Sequence, residues 1–303
     1  MLKQNERLMY KSEAFDNAMY WERVNRSLGW LGSTEEEQVQ RQKKLRDAVV
    51  GIAGTGGIGG ALAARLVRMG VRNLKLADPD SFDVTNMNRQ MGADLDHLGK
   101  NKAEVVAEMT YNLTKDVNIE VYPEGITPES AEEFMKDCDY VLDQMDFYEI
   151  RNRYALHRAF RKSDRCKFML KVPTVAHGTY IYKYTKDSMP IEEVYGIPED
   201  ATMTPEVIKR LMERLIPEMP SYPSKEMLDH WFIDLERMPI FAGCPPLAEG
   251  VLAERLALAI TELDQLPGAQ QLPVQPGYAM FDTMAWQSKI VHGKWWLNDP
   301  TCN

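Results

Sequence analysis

A glycine-rich turn between an apolar segment and a helix-forming segment is the first feature of the sequence that could bind a ligand. Gly54, Gly56 and Gly59 have the spacing that lets a backbone approach a phosphate closely, with a helix N-terminus facing the anion. Asp78 follows 19 residues after Gly59, where a carboxylate can accept hydrogen bonds from a ribose hydroxyl. No Lys-Ser/Thr pair follows the glycines, so this is not a Walker P-loop. The turn suits NAD and ATP equally.

The loop after the second predicted strand favours ATP over NAD. Asn86, Arg89 and Gln90 stand close together, and Lys102 begins a predicted helix. Hydride transfer develops no phosphate charge, whereas an enzyme that expels pyrophosphate needs cations beside the departing phosphates. Arg89 and Lys102 are therefore predicted to contact phosphates.

Two aspartates mark the end of another predicted strand. Asp143 and Asp146 lie at the carboxyl edge of the predicted sheet, which is where ligands bind in this architecture. A carboxylate at that edge suits a Mg²⁺ ion that bridges phosphates. We predict that Asp146 is the metal ligand and interpret Asp143 as structural.

Short apolar runs alternate with amphipathic helical segments between residues 48 and 171, which predicts a parallel sheet covered by helices on both faces. The predicted strands are 48–53, 73–77, 117–122, 139–143 and 167–171, and the predicted helices are about 58–69, 101–112, 129–136 and 149–162. Residues 178–184 alternate as an antiparallel strand would. The fold class is α/β, a doubly wound, mostly parallel Rossmann-like sheet with an antiparallel C-terminal extension.

Four regions are expected along the chain. Residues 1–45 form an N-terminal helical arm, and residues 46–186 form the nucleotide-binding core. Residues 187–243 are proline-rich, with two short helical patches, and a segment of that length inside a compact domain is usually functional. Residues 244–303 complete the core with an apolar helix from 247 to 263 and short strands near 279–283 and 288–291.

Composition argues against several classes of protein. The formal net charge of -9 argues against a protein whose main task is to bind nucleic acid, because that affinity comes largely from Lys and Arg neutralising phosphate. The longest uncharged run, residues 48–64, contains six glycines and would make a poor membrane helix. The N-terminus is charged and does not resemble a signal peptide. We expect a cytoplasmic protein.

Neither the cysteines nor the histidines have metal-binding spacing. The four cysteines stand far apart without a C-x-x-C pair, so no structural zinc is expected, and Cys166 and Cys244 are interpreted as inert thiols. Among the five histidines only His177, which precedes a strand near the predicted cleft, is a candidate for the site.

Five motifs occur in one order at compatible spacing. They are the turn Gly54–Gly59, the pair Asp78 and Asp80, the segment Thr85–Gln90, the segment Gly99–Lys102, and the pair Asp143 and Asp146. Together they resemble the E1-like adenylating family, which includes the ThiF, MoeB and HesA proteins, the t6A-tRNA dehydratase and the activating domains of ubiquitin-type E1 enzymes. The resemblance covers about residues 23–184 and a later helix near residues 243–254.

The resemblance implies a role for each matching position. The implied ATP-binding residues are Gly54, Gly56, Gly57, Gly59, Asp78, Asp80, Asn86 and Gln90, and the implied catalytic residues are Arg89, Lys102, Asp146 and Arg26. ATP and Mg²⁺ are the implied cofactors, with Asp146 holding the metal. Family members are usually homodimers in which an N-terminal arginine reaches the partner's active site. Arg26, or alternatively Arg23, fits that role.

Departures from the family narrow the expected substrate. Many relatives carry two C-x-x-C pairs that bind zinc, and their lack here disfavours activation of a sulfur carrier. The acidic balance disfavours, without excluding, the tRNA-modifying branch. What remains is adenylation of a carboxylate on a peptide or small protein, as in the E1-like enzymes of microcin C7 and pantocin A biosynthesis. An NAD-binding oxidoreductase and an inactive nucleotide-binding scaffold stay open as alternatives of another class.

Overall fold

The computed structural model describes residues 7–13, 15–234 and 239–293 of the 303-residue chain. Within them, strands and helices alternate through the first half as the sequence predicts. The strands are β1 Met9–Tyr10, β2 Val49–Ala53, β3 Asn73–Ala77, β4 Asn118–Tyr122, β5 Tyr140–Asp143, β6 Phe168–Lys171, β7 Thr174–Val175, β8 Gly178–Tyr184, β9 Tyr278–Asp282 and β10 Gln287–Val291.

Ten α-helices lie between these strands in the described part of the chain. They are α1 Asn17–Leu28, α2 Glu35–Asp47, α3 Gly59–Arg68, α4 Lys102–Tyr111, α5 Ala131–Met135, α6 Ile150–Lys162, α7 Ile191–Tyr195, α8 Pro205–Leu215, α9 Lys225–Asp229 and α10 Cys244–Ile260. Two short 3-10 helices span Val84–Asn88 and Leu263–Gln265.

The described strands form one mixed sheet in the order β1-β4-β3-β2-β5-β6-β8-β9-β10, with β7 paired to β8. The five strands from β4 to β6 are parallel, and the outer pairings are antiparallel. The order reverses between β2 and β5, which is the point where a doubly wound sheet opens a crevice at its carboxyl edge. The predicted fold class is confirmed.

Two apolar clusters fill the faces of the sheet because parallel strands are buried on both sides. One face packs against α3, α4 and α10 and includes Leu62, Val106 and Leu252. The other packs against α5 and α6 and includes Phe134 and Tyr154. Helix α10 is apolar on most of its surface, as a helix enclosed by other elements must be.

The N-terminal helices are anchored on the core by polar contacts. Helix α1 begins at Asp16, whose side chain accepts a hydrogen bond from the backbone N–H of Met19. The buried hydroxyl of Tyr20 then donates to the carbonyl of Gly70 at 3.0 Å, and Gln42 of α2 donates to that hydroxyl at 2.9 Å. Thus both helices are fixed to the turn that follows α3.

The later part of the chain is more helical than its sequence suggests. Three short helices, α7, α8 and α9, lie in the segment that was expected to hold two helical patches. Helix α10 begins at Cys244 rather than at residue 247, because Pro245 is accommodated in its first turn. The strands β1 and β7 have two residues each, which is too short for a periodic pattern to reveal them.

Candidate active site

A cavity of about 480 Å³ opens at the carboxyl ends of β2, β3, β5 and β6. Many of the lining residues follow strands that end at this edge, and others, such as Met212 and Pro245, belong to the later helices α8 and α10. The lining includes Gly54, Gly56, Gly57, Gly59, Asp78, Asp80, Asn86, Arg89, Gln90, Lys102 and Asp146. Of the residues predicted to bind ATP or act in catalysis, Arg26 alone is not part of this lining.

Two glycines of the turn after β2 leave no room for a side chain. Gly54 has φ +98°, and a Cβ there would lie 2.4 Å from the carbonyl oxygen of Gln144. A Cβ at Gly59 would lie 1.9 Å from the carbonyl oxygen of Gly54. Helix α3 begins at Gly59 without a side-chain cap, and although the N–H of Gly60 donates to the carbonyl of Gly56 at 3.0 Å, the positive end of the helix dipole faces the turn and favours an anion there.

Asp78 holds this turn against the end of β3. Its carboxylate accepts hydrogen bonds from the backbone N–H of Thr55 at 2.7 Å and of Asp80 at 3.0 Å. Burial raises the pKa of Asp78, while Lys102 and these hydrogen bonds oppose the increase. A carboxylate offers about four acceptor positions, so Asp78 retains capacity for a ligand hydroxyl.

The 3-10 helix Val84–Asn88 and the residues after it form a second side of the cavity. Asn86 is buried, and its side-chain oxygen accepts a hydrogen bond from the backbone N–H of Asp83 at 3.3 Å. The guanidinium of Arg89 donates to the carbonyl of Thr85 and to Asn88. In the described part of the chain no carboxylate lies within 4 Å of the Arg89 guanidinium. Its charge is therefore available to an anionic ligand.

Two buried amide atoms in the cavity wall have no hydrogen-bond partner among the described residues. They are the side-chain oxygen of Gln90 and the side-chain nitrogen of Gln144. An unpartnered buried polar atom carries an energetic cost that a ligand can remove. The acceptor and the donor suit a polar ligand such as a nucleotide.

Lys102 lies at the start of α4, opposite the glycine turn. Its side chain is buried, and its Nζ lies 2.9 Å from Oδ2 of Asp80, a more exposed carboxylate. Asp80 therefore balances the charge of Lys102.

The loop that carries Asp146 is held from beneath by Arg153 of α6. The Arg153 guanidinium donates to the carbonyls of Met145, Asp146 and Phe147 at 2.7, 2.9 and 3.0 Å. The Asp146 side chain is exposed in the cavity and accepts a hydrogen bond from the Tyr148 hydroxyl at 2.7 Å. The backbone of the loop is fixed while the Asp146 carboxylate stays accessible.

Arg153 also neutralises Asp143, which is fully buried at the end of β5. Their Nε and Oδ2 atoms lie 2.8 Å apart, and Lys171 Nζ lies 3.5 Å from the other carboxylate oxygen. The two cations overcome the effect of burial and hold the pKa of Asp143 well below its usual value. The interpretation of Asp143 as a structural residue agrees with this position.

Sequence reasoning did not identify Arg153, Gln144 or Lys171 as site residues. Lys171 was detectable, since a lysine at the end of an apolar strand that reaches the ligand edge is unusual. Arg153 looks like one of several basic residues on α6, and only the fold reveals its burial.

The two N-terminal arginines differ in their contacts. Arg23 forms an ion pair with Asp116 at 3.2 Å and donates to the carbonyl of Val67, so it is engaged within its own subunit. Arg26 is exposed near the end of α1.

The remaining candidates that the structure describes do not line the main cavity. Burial raises the pKa of the Cys138 thiol to about 12 and also raises the pKa of Cys166 and Cys244. Cys302 is outside the described residues. His177 packs against the rings of Tyr222 and Phe241 and does not line the main cavity. In the described ranges, no helix is long and apolar enough to cross a membrane.

A family model described as the ThiF family matches residues 25–179 of this chain. Among curated proteins, the tRNA threonylcarbamoyladenosine dehydratase of Escherichia coli K12 is 33% identical over 44% of the chain and 46% of its own length. The sulfur carrier protein adenylyltransferase of Thermus thermophilus is 32% identical over 36% of the chain and 41% of its own length. The chain thus spans less than half of either relative.

Solved structures match over more of the chain. PaaA superposes with a TM-score of 0.67 at 20% identity, covering 92% of this chain and 84% of PaaA. E. coli MccB in complex with ATP superposes with a TM-score of 0.62 at 18% identity, covering 88% of this chain and 70% of MccB. At these identities the likeness establishes the shared fold.

Proposed function

The chain belongs to the ThiF family of E1-like adenylating enzymes, and from that premise we propose that it uses Mg-ATP to adenylate a carboxylate of a peptide or small protein. The observation that carries the proposal is the position of Arg89 and Lys102 in the cavity of the glycine turn. Hydride transfer develops no negative charge on phosphate, whereas departing pyrophosphate does and needs cations beside it.

The reaction requires little acid–base chemistry from the protein. A carboxylate is ionised at pH 7 and can attack the α-phosphorus of ATP directly. One carboxylate oxygen forms the new P–O bond, the bond to the β-phosphate oxygen breaks, and pyrophosphate leaves with the electron pair. Arg89 and Lys102 would stabilise the charge that develops on it, and the product is an acyl adenylate.

Asp80 compensates the charge of Lys102 in this scheme. Lys102 and Asp80 lie 2.9 Å apart, so a phosphate that binds Lys102 would share its ammonium with this carboxylate. The contact keeps the buried ammonium compensated, since an unpaired buried charge is costly.

Asp146, an exposed carboxylate of the cavity, would contribute to a Mg²⁺ site. The described residues contain no group of three or more His, Cys, Asp or Glu side chains that could hold a metal. Phosphate oxygens and water would complete the coordination, as is usual for Mg²⁺ in nucleotide sites. When bound, Mg²⁺ neutralises phosphate charge.

The other half of the cavity supports a peptide as the substrate. Val175 and the α8 region, with Met212, Leu215 and Ile216, give it an apolar wall. E. coli MccB, whose fold this chain shares, has been solved in complexes with MccA. These structures cover 93–96% of this chain. A wall of this kind can hold the side chain next to the reacting carboxylate.

The test is ATP consumption against a panel of short peptides, small carrier proteins and tRNA, with AMP and ADP separated by chromatography. We expect AMP and pyrophosphate in the presence of peptides. AMP formation with carrier protein or tRNA alone would assign the chain to the branches of its curated relatives. Tight NAD binding without nucleotide turnover would refute adenylation altogether.

A further inference from the structure

Lys171 is a buried cation on the wall of the cavity that the roles proposed above leave unused. It ends β6, its exposed fraction is 3%, and it lines the same cavity as the glycine turn. A fully buried lysine is rare unless a partner compensates its charge. The contacts around Lys171 therefore indicate what it binds.

The charges around Lys171 do not balance. Arg153 and Lys171 both face the single carboxylate of Asp143. Arg153 is the closer partner, since its Nε lies 2.8 Å from Oδ2, whereas Nζ of Lys171 lies 3.5 Å from Oδ1. His157, which also faces Asp143, is kept neutral because burial lowers its pKa. Among the described groups within 4 Å of one another, one unit of positive charge is left over; Asp146, the other carboxylate that acts on Lys171, lies beyond 4 Å and is exposed in the cavity.

The hydrogen bonds of Lys171 are also weak. An ammonium has three donors, and the Nζ atom reaches the carbonyl of Met145 only at 3.4 Å. At that length and at 3.5 Å to Asp143, both contacts lie beyond the usual range for N–H···O bonds. The ammonium is poised to donate to an additional anionic oxygen in the cavity.

The register of the strands shows how far Lys171 lies from the glycine turn, and this distance indicates which ligand supplies the anionic oxygen. Ala53, Asp143 and Lys171 are successive cross-strand partners, so the end of β6 is two strands from the glycine turn. At about 4.8 Å per strand, Lys171 lies roughly 10 Å from the turn that would receive the phosphates. On its side of the cavity the neighbours are Val172, Val175 and the apolar residues of the α8 region.

We propose that Lys171 binds the substrate carboxylate that becomes adenylated, and that this carboxylate lies next to an apolar side chain. The inference rests on the proposed adenylation and adds the residue that recognises the second substrate. The carboxylate loses its charge when the acyl adenylate forms, so Lys171 contributes mainly to binding of the substrate. Loss of Lys171 then raises KM for the carboxylate more than it lowers kcat.

The experiment measures carboxylate binding directly, with N-acetyl-L-leucine as the probe and N-acetyl-L-leucinamide as its neutral match. Both are titrated into the protein saturated with Mg²⁺ and the non-hydrolysable analogue AMPCPP, and binding is followed by saturation-transfer NMR. The variant is Lys171→Met, which keeps the length of the side chain and removes its charge. Lys167→Met is the control, since Lys167 precedes the same strand at its opposite, exposed end.

We expect the wild-type protein and the Lys167→Met variant to bind N-acetyl-L-leucine and to reject the amide. Lys171→Met should weaken carboxylate binding about tenfold or more, the scale of a hydrogen bond to a charged group. Its AMPCPP affinity should remain unchanged, and Lys171→Arg should restore part of the carboxylate binding.

Three results would overturn the inference. They are unchanged carboxylate binding in Lys171→Met, no preference of the wild type for the carboxylate, or a loss confined to AMPCPP. Failure of the wild type to bind AMPCPP would instead contradict the proposed function. Thermal melting checks that Lys171→Met is folded, and Lys171→Gln, which keeps a donor for Met145, replaces it if it is not.

Discussion

Arg153 and Asp143 form a completely buried ion pair, with 2.8 Å between Nε and Oδ2, and the same guanidinium holds three backbone carbonyls of the next loop. The pair thereby connects the end of β5 to α6 and fixes the position of Asp146. A residue without a role in chemistry thus determines where the predicted metal ligand stands.

Replacement of Arg153 by methionine should lower the free energy of unfolding by about 3–5 kcal/mol, because it leaves the Asp143 carboxylate buried with only Lys171 nearby. Chemical denaturation measures the change. Arg158→Met on the same helix is the control, since that arginine pairs with Glu192 and Glu199 at the surface and should cost only about 0–1 kcal/mol. Equal losses in the two variants would contradict the importance of burial.

Arg89→Ala, Lys102→Ala and Asp146→Ala should each remove about 2–4 kcal/mol of transition-state stabilisation, the usual effect of losing one electrostatic contact. ATP–pyrophosphate exchange with an accepted peptide gives kcat/KM for each variant. Arg68→Ala and Lys43→Ala, at exposed positions on α3 and α2, are matched controls and should retain activity. Wild-type turnover in all three site variants would refute the assignment of the active site.

Gly54→Ala should abolish ATP binding and lower stability. A side chain at φ +98° costs about 1–3 kcal/mol in backbone strain, and its Cβ would also meet the carbonyl of Gln144 at 2.4 Å. Gly250→Ala is the opposite case. Gly250 is exposed in α10 with open space around it. Its replacement by alanine should raise the free energy of unfolding by about 0.5–1 kcal/mol. Equilibrium unfolding and ATP titration distinguish the two outcomes.

Arg26→Ala should lose adenylation activity if Arg26 completes the partner's site in a homodimer. Mixing it with Lys102→Ala subunits should then recover part of the activity, because each mixed dimer contains one intact site. Arg23→Ala provides the contrast. It removes the ion pair with Asp116 inside its own subunit, so it should lower stability and should not be rescued by mixing. No recovery in the Arg26 mixture would exclude a contribution across subunits.

Carboxylate binding should weaken as the pH rises through the pKa of Lys171. Burial, reinforced by Arg153, lowers that pKa from 10.5 to about 8, so the ammonium is present below this pH and disappears above it. Asp143 stays ionised throughout, the neighbouring His157 has a lowered pKa, and the carboxylates of Asp143 and Asp146 act on the pKa of Lys171 in the direction opposite to burial. N-acetyl-L-leucine titrations in wild type and Lys171→Arg check this, since arginine remains charged and should give a flat profile.

The same shift predicts how stability changes with pH. Lys171 binds its proton less readily in the folded state than in the unfolded state, so its burial destabilises the fold below about pH 8. The contribution diminishes as pH rises from 8 to 10.5, and Lys171→Met should remove it. A wild-type and a variant curve of identical shape would contradict this pKa.

The sequence predicted most strands of the core because a buried parallel strand is a short apolar run between polar turns. The prediction for residues 73–77 matches β3, and those for residues 117–122 and 139–143 extend β4 and β5 by one residue. The strands that escaped prediction, β1 and β7, have two residues each and form because neighbouring strands pair with them.

The site was predictable only where the type of a residue indicates its environment in the fold. Glycines at fixed spacing and polar residues after strands predicted one half of the cavity. The other half is made by ordinary apolar residues such as Met212 and Leu215, whose function depends on where α8 packs. Arg153 was equally hidden, since a basic residue on an amphipathic helix looks exposed until the fold encloses it.

The location of the apolar wall has a consequence for how enzymes of this architecture diversify. Met212, Leu215 and Ile216 come from one continuous stretch between β8 and α10, whereas the glycine turn and the two cations precede β4. Substitutions in that stretch can alter the shape of the second half of the cavity without touching the nucleotide half. Under the proposed function, a different α8 segment grafted onto this chain is expected to change its acyl specificity.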